Sequence, residues 1–585
     1  MRPLTKPAAI NQPFPKIPLL LLALWLVVNL LQAGLTPLDP DETYYWMYAG
    51  RLDWGYFDHP PAVAVLIALG KDWLPGALGL RFGHVLASAA TVAGMWFLLD
   101  RPTGRLLWVA AALVFAQPFL NVYGFIATPD GPLLLFTVLY LLAYRRFLRT
   151  PDLLSGALWG LTMAGLLYSK YHGVMLIFFS VLPNLLWLLR RPGAWVAALG
   201  GAALFVPHLH WQLVNDFPSF RYHLNGRNDA YQFKYTTEYL LNQLLIFSPL
   251  LVPFYVKTMG RGRRMPGKFS EAGNADPAFF RANYWLVLGF LVFFLYTTTK
   301  GGTEAQWTAL LSMPLCYLTF TLARDHFTDW QPWLKRLGLA TIIILVIARL
   351  LLIAPRDWLP FAKPFDHQPW AERLAERADG LPVMVQNSYR FASLYEFYTG
   401  NPAWTFTDVQ YRQNQYDLWT ADTVFHNKSV YLLGQGSWDR PEAQPFRTQK
   451  RDMLTQRVDE FQVMKGLQLT TVDEFPDTIR RGQLYSLTLT AQAPYREISL
   501  RAGNLSLSPH ITIHYAEEEM RFWELERGEV YPVIRPGQLT GLFRGAFRTF
   551  NDSPLGPAEI EFGLAYAGMP PIRGQSVRYP IVVVK

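Results

Sequence analysis

The chain has 585 residues, of which 51% are hydrophobic, 15% aromatic and only 17% charged; that is too apolar for a protein wholly in water and too polar for one embedded in a bilayer throughout. The net charge of +9 does not point to nucleic acid, because Arg and Lys gather in short clusters between apolar segments, where membrane topology accounts for them. A single cysteine, Cys316, excludes an internal disulfide and a cysteine-based metal cluster.

Residues 1–16 carry Arg2, Lys6 and Lys16 ahead of the apolar run 17–35. That run is longer than a signal h-region and no small-x-small cleavage site follows it, so it reads as a retained signal anchor. A helix needs about 20 apolar residues to cross a hydrocarbon core of roughly 30 Å. Candidate spans follow at 17–35, 82–99, 106–123, 132–147, 153–168, 173–189, 195–211, 239–256, 284–299, 305–322 and 337–353, which predicts about 11 transmembrane helices. The shorter stretch 62–74 is left as a re-entrant or interfacial helix. With the N-terminus cytoplasmic, the basic groups Arg101/Arg105, Arg145/Arg146/Arg149, Arg190/Arg191, Lys257/Arg261/Arg263/Arg264/Lys268 and Lys335/Arg336 all fall in cytoplasmic loops. The opposite face then holds 39–59, Thr128-Pro129-Asp130, Ser169-Lys170-Tyr171-His172, 215–237, 300–306 and everything after Ala354.

From Pro355 onward no spanning run occurs. Residues 366–380 read as a helix, 382–385 as a buried strand and 388–399 as a second helix, an α/β texture. Near Met464 the texture changes to short β-rich segments at 484–489, 498–500, 511–515, 560–564 and 581–584, separated by Gly, Pro and Asn turns, as in a β-sandwich. The expected architecture is a polytopic α-helical membrane domain over 1–354, an extracytoplasmic α/β region over 355–463 and a sandwich-like β-rich domain over 464–585.

Three carboxylates, Asp39, Asp41 and Glu42, follow directly on the first span, and two readings stand for them. Acidic residues in a first helical turn favour the macrodipole, and Asp caps helices. A carboxylate just outside a membrane span is also the group that would take a proton from an acceptor hydroxyl during sugar transfer. Asp58-His59-Pro60-Pro61 is a rigid turn, or a place where His59 sets a donor beside a phosphate. Thr128-Pro129-Asp130 has helix-start grammar, yet an acid at that depth is a functional candidate by default. Lys170 lies on the side where topology disfavours lysine and therefore needs an anionic partner, a role a lipid phosphate would fill. Arg221, His223, Arg227 and Lys234 extend the same cationic character, though each singly reads as solvated charge. Tyr44, Tyr45, Trp46, Trp54, Tyr56 and Phe57 supply faces for sugar rings or an interfacial aromatic belt. No Gly-rich phosphate loop, Walker motif, HExxH or CxxC occurs in a credible context.

The run Asp41-Glu42-Thr43-Tyr44-Tyr45-Trp46, followed by Trp54-Gly55-Tyr56-Phe57-Asp58-His59-Pro60-Pro61, resembles the first periplasmic loop of GT-C fold glycosyltransferases. The branch is that of protein O-mannosyltransferase-like enzymes and the lipid A aminoarabinose transferase. The likeness continues through Thr128-Pro129-Asp130, Leu167 to Tyr171, His210-Trp211-Gln212 and Phe217-Pro218-Ser219-Phe220, over roughly the first 350 residues. The resemblance implies an inverting integral-membrane glycosyltransferase with a polyprenyl-phosphate sugar donor and an extracytoplasmic acceptor that is a lipid, a polysaccharide or a protein. It implies catalytic roles for Asp41, Glu42 and Asp130, and substrate contacts from Tyr44, Tyr45, Asp58, His59, Lys170, Tyr171 and Arg221. Asp41 and Asp130 would hold a divalent cation if one is used. The β-rich region departs from the family pattern. A transporter or flippase of lipid-linked sugars is the alternative, although transporters usually carry inverted repeats and midplane helix breaks. The expected location is the inner (plasma) membrane, with the C-terminus outside the cytoplasm.

Overall fold

The computed structural model describes residues 15–225, 231–263, 276–354, 366–434, 442–449, 451–472, 474–515 and 519–585. Arg2, Lys6, Arg227, Arg264, Lys268 and the side chain of His223 lie outside the described set. The chain forms two compact units, Met1–Ala362 and Lys363–Lys585.

The first unit is helical. Its elements are α1 (Lys16–Leu35), α2 (Pro40–Ala49), α3 (Ala62–Ala68), α4 (Gly76–Leu98), α5 (Gly104–Phe115), α6 (Pro118–Val122), α7 (Asp130–Arg149), α8 (Leu153–Ser169), α9 (Gly173–Val181), α10 (Leu185–Leu188), α11 (Pro192–Val214), α12 (Pro218–Asn225), α13 (Phe233–Ile246), α14 (Val252–Gly262), α15 (Pro277–Thr297), α16 (Ser312–Asp325) and α17 (Trp330–Ile353). Among the described residues α1, α7, α11, α15 and α17 are long and apolar enough to cross a membrane, while α5, α8 and the run 173–188 are shorter apolar helices. Every expected span coincides with helix, but several are broken rather than continuous. Pro118 cannot extend the hydrogen-bond ladder, so 106–123 splits into α5 and α6. The span 239–256 breaks between α13 and α14, where Ser248 precedes Pro249 and takes a left-handed φ of 63°. Residues 173–189 pass through a 3-10 turn at Leu182–Asn184 that contains Pro183.

Small residues bring α8 and α11 together. A Cβ on Gly156 would lie 2.1 Å from the carbonyl oxygen of Gly193, so this crossing requires glycine on α8. One end of the bundle gathers the basic loops: Arg145 pairs with Asp100 at 2.7 Å, and Arg324 reaches the same carboxylate at 2.9 Å. The other end holds α2, the start of α7 and the end of α8.

The second unit contains α18 (Gln368–Ala378), α19 (Tyr389–Thr399), α20 (Gln415–Leu418) and strands β1 (Val383–Gln386), β2 (Ala403–Phe406), β3 (Lys428–Gly434), β4 (Gln444–Arg447), β5 (Asp452–Phe461), β6 (Gln468–Thr471), β7 (Thr478–Arg480), β8 (Leu484–Gln492), β9 (Ile498–Ser499), β10 (Leu507–Tyr515), β11 (Met520–Glu524), β12 (Arg527–Val530), β13 (Val533–Ile534), β14 (Leu539–Arg548), β15 (Gly556–Tyr566) and β16 (Tyr579–Val584). A mixed sheet runs β2-β1-β3-β5-β4, with β1 parallel to both β2 and β3. Two further sheets run β11-β10-β15-β16-β7 and β12-β14-β8-β6. Phe475 contacts Phe547 of β14 and Phe562 of β15, so side chains of these two sheets meet in one core, as in a sandwich.

Candidate functional site

The acidic motif after α1 starts a helix. Asp39 caps α2, its carboxylate accepting from the Asp41 N–H at 2.9 Å, while Glu42 accepts from the Asp39 N–H at 2.9 Å, and Pro40 occupies the first turn. This is the reciprocal capping box that Asp-x-x-Glu encodes. Asp41 is half-buried in the same first turn, where the helix dipole favours its charge.

Glu42 has a different environment from its neighbour. Arg81 of α4 grips it with two hydrogen bonds of 2.7 and 2.6 Å, and both side chains are 0% exposed. Arg81 also donates to the carbonyls of Ala33, Thr36 and Pro37, and Glu42 accepts from the Ala127 N–H at 2.8 Å. One ion pair therefore fastens the end of α1, the start of α2, α4 and the strand of chain that leads into α7. Its geometry is that of a scaffold rather than of a group facing substrate.

Asp130 opens α7 and Lys170 ends α8, and the Lys170 ammonium donates to both carboxylate oxygens at 2.9 and 3.0 Å. Both residues are buried. An acid at a helix N-terminus and a base at a helix C-terminus each sit where the dipole stabilises them. The anionic partner that Lys170 requires is thus supplied by the protein itself, and one ammonium hydrogen remains beyond the two given to Asp130. Tyr123 is buried, and its phenol feels the negative charges of Asp130, Asp39 and Glu304 at a distance. Glu304 is exposed. Neither Tyr123 nor Glu304 stands out in the sequence; the usable signal is only that 300–306 falls on the same face as the other polar loops.

The aromatic motif is mostly internal. Tyr44 and Tyr45 are buried and pack against Tyr48, which stacks on Tyr56 with ring centroids 4.1 Å apart. Asp58 is buried and accepts from the Tyr48 hydroxyl at 3.3 Å, and His59 sets its ring against Tyr45. Burial pushes the Tyr48 phenol well above the usual tyrosine range, so it stays a neutral donor toward Asp58.

A second network locks this loop to α11. Tyr171 hydroxyl and His208 Nε2 are 3.0 Å apart, and His208 Nδ1 lies 2.7 Å from the Trp54 carbonyl. Gln212 donates to Tyr171 and Ser219, Ser219 donates to the Tyr56 carbonyl, and Trp211 donates to Asp53. Gly55 lies flat on the Trp211 indole, where a Cβ would come within 2.5 Å of the ring. Within His208-Leu209-His210 it is His208 that is internal while His210 is exposed, because two residues turn a helix through about 200°. Arg221 stands apart from these groups and pairs with Asp216 on the surface.

Among the described residues no three His, Cys, Asp or Glu side chains are grouped to hold a metal ion. Asp130, one of the two acids considered for that task, is committed to Lys170, so the donor set does not fit a divalent cation.

Residues 58–211 match a family model described as dolichyl-phosphate-mannose-protein mannosyltransferase. The matched segment runs from Asp58 through α3, α4, Asp130 and Lys170 to Trp211. In structure the chain is similar to ArnT from Cupriavidus metallidurans in the apo state, with a TM-score of 0.55 at 12% identity over 75% of this chain and 97% of that one. It is also similar to the same protein bound to undecaprenyl phosphate, with a TM-score of 0.51 at 14% identity over the same shares. No curated protein matches the chain in sequence.

Proposed function

We propose that this membrane glycosyltransferase of the GT-C fold transfers one sugar, with inversion, from a polyprenyl phosphate to an acceptor hydroxyl or amine. The class rests on the family match over 58–211 and on the shared fold, and it sets aside the flippase reading. The lipid donor is supported by the undecaprenyl phosphate in one structural relative. The single observation that carries the site is the buried Lys170–Asp130 pair at the same end of the bundle as the Asp41 helix start.

In this reading Asp41 takes the acceptor proton as the acceptor oxygen or nitrogen attacks the anomeric carbon. The bond between that carbon and the phosphate oxygen breaks, polyprenyl phosphate leaves, and the proton passes from Asp41 to water. The remaining ammonium hydrogen of Lys170 stabilises the charge that grows on the leaving phosphate, and Asp130 holds Lys170 in place for it. Glu42 is a positioning residue: through Arg81 it fixes the first turn of α2 and with it Asp41. Tyr45 and His59 border the donor side, while Tyr44, Asp58 and Tyr171 hold the loop in shape. We place the protein in the inner membrane with Asp41, Lys170 and the C-terminus on the extracytoplasmic side, as the basic-loop alternation requires. We also keep an α/β region, expected over 355–463 and here beginning with the second unit at Lys363, and a β-rich region over 464–585.

Asp41→Asn tests the mechanism, since it keeps shape and most hydrogen bonds while removing the proton acceptor. Transfer from a polyprenyl-phosphate sugar, followed by mass spectrometry, should be lost with thermal stability unchanged. Near-normal turnover would overturn the assignment of Asp41.

A further inference from the structure

At the basic end of the membrane unit, α4 and α7 finish beside a cavity of about 350 Å³. Four arginines line it, Arg101 from the turn after α4 and Arg145, Arg146 and Arg149 from the end of α7, against one carboxylate, Asp100. That carboxylate is already shared, by Arg145 at 2.7 Å and Arg324 at 2.9 Å. The other acids nearby serve elsewhere: Asp325 binds Arg324, Asp152 caps α8, and Asp276 caps α15 and lies 3.9 Å from Arg149, beyond hydrogen-bonding distance. Among the described residues the Arg101 guanidinium makes no hydrogen bond or ion pair, and Arg146 makes one, from Nε to Ser155. Arg101, Arg146 and Arg149 are all exposed, so their open N–H groups can reach whatever enters.

Two ordinary causes explain part of this charge. Basic loops set topology, and arginines in the last turn of α7 favour its dipole. Neither accounts for Arg101, which is brought to the cavity by an unfavourable backbone. Asp100 and Arg101 are consecutive left-handed residues, with φ of 64° and 52°, and Pro102 follows. Aspartate tolerates that region, whereas an arginine gains nothing from it and a residue before proline prefers to be extended.

The lining is graded along the helices, and the grading selects the ligand. Leu142 precedes Arg146 by one turn of α7, and Phe97 precedes Asp100 by nearly one turn at the end of α4, so an apolar pair lies on the order of 5 Å further into the apolar layer than the charges. Phe97 is 42% exposed. A free anion would use the arginines and leave Phe97 and Leu142 idle, and an uncharged lipid would do the reverse. A molecule with a phosphate head and hydrocarbon chains uses both. We infer that this cavity binds an anionic glycerophospholipid of the membrane, its phosphate held by Arg101, Arg146 and Arg149 and its acyl chains lying against Phe97 and Leu142. The binding is independent of the transfer chemistry; only its assignment to the cytoplasmic leaflet rests on the orientation proposed above.

The test is titration of the delipidated full-length protein in detergent, with the first bound lipid measured by native mass spectrometry. Dioleoyl phosphatidylglycerol is the anionic probe, and dioleoyl phosphatidylcholine carries the same phosphate and chains without net charge. The anionic lipid should bind more tightly by about tenfold. Arg101→Asn, which keeps a residue that tolerates the left-handed region, and Arg149→Gln should each weaken it by about fivefold. Arg190→Gln, an exposed basic-loop residue outside the cavity, and Lys170→Ala should leave it unchanged. Thermal unfolding in lipid-free detergent accompanies each variant and should not move for the exposed positions. Equal affinity for the two lipids, or a loss in Arg190→Gln as large as in Arg101→Asn, overturns the inference and leaves the arginines to topology alone. Loss in Lys170→Ala with none in Arg101→Asn overturns it by placing the lipid at the donor site. Displacement of phosphatidylglycerol by millimolar inorganic phosphate overturns it in favour of a free anion. Tighter binding of undecaprenyl phosphate, weakened by Arg101→Asn, overturns it in favour of a polyprenyl lipid.

Discussion

Replacing Arg81 by Met is the most informative perturbation of the membrane unit, because it separates scaffold from chemistry within one acidic motif. Arg81 uses all five of its N–H donors: two on Glu42 and three on the carbonyls of Ala33, Thr36 and Pro37. Met fills similar space but leaves Glu42, 0% exposed, hydrogen-bonded to the backbone N–H groups of Asp39 and Ala127 alone. Removing one partner of a buried ion pair costs about 3–5 kcal/mol. The two surviving backbone bonds hold the loss near the middle of that range, about 4 kcal/mol. For a cooperative unit of this size, ~2 °C or less per kcal/mol gives a fall in Tm of roughly 5–8 °C. The assay is thermal unfolding in nanodiscs beside transfer activity per folded molecule. Glu42→Leu added to Arg81→Met removes the stranded carboxylate and should recover part of the lost stability. If Arg81→Met left Tm unmoved and still abolished transfer, the pair would belong to the chemistry and the scaffold assignment of Glu42 would be wrong.

Lys170→Ala should weaken polyprenyl-phosphate binding by about 1.5–3 kcal/mol, roughly ten- to a hundredfold, with Lys170→Arg recovering part; Asp130→Asn, which releases Lys170 from its holder, should lower stability and weaken donor binding less than Lys170→Ala does, and affinities equal to the parent's in all three would end the phosphate role. Gly55→Ala forces a methyl into the Trp211 ring and should destabilise the 53–59 loop by about 1–3 kcal/mol, visible as faster amide exchange at Trp54 and Tyr56; unchanged protection would show that the loop yields freely. Burial pushes the Asp417 carboxyl up to about 6, above its unfolded value, so the folded state binds the proton more tightly between these two values. The second unit should therefore gain stability, on the order of 1 kcal/mol, as pH falls from 7 toward 5, and Asp417→Asn should flatten that dependence in a pH series of unfolding scans.

The sequence determined whatever is local in its physics. Apolar length located helix at every expected span, Asp39-Pro40-Asp41-Glu42 encoded the capping box that starts α2, and Thr128-Pro129-Asp130 encoded the start of α7. It also marked the change from helix to strand beyond residue 354. Strand edges were less legible: β5 interleaves Asp452, Arg457, Asp459 and Glu460 with its buried residues, and β12 is largely exposed, so neither shows clean alternation. The continuity of helices was hidden too, since an apolar window does not register the break that Pro118 or Ser248 imposes.

Only the tertiary structure decided what each charge does. Glu42 and Asp41 are adjacent and chemically alike, yet Glu42 meets an arginine 39 positions away and becomes part of the framework, while Asp41 keeps a half-buried carboxylate. Lys170 announces its need for an anion, but that Asp130 supplies it follows from the packing of α7 and α8 across 40 positions. His208 rather than His210 faces the site because the angular setting of α11 is fixed by its contact with α8, which no local pattern contains.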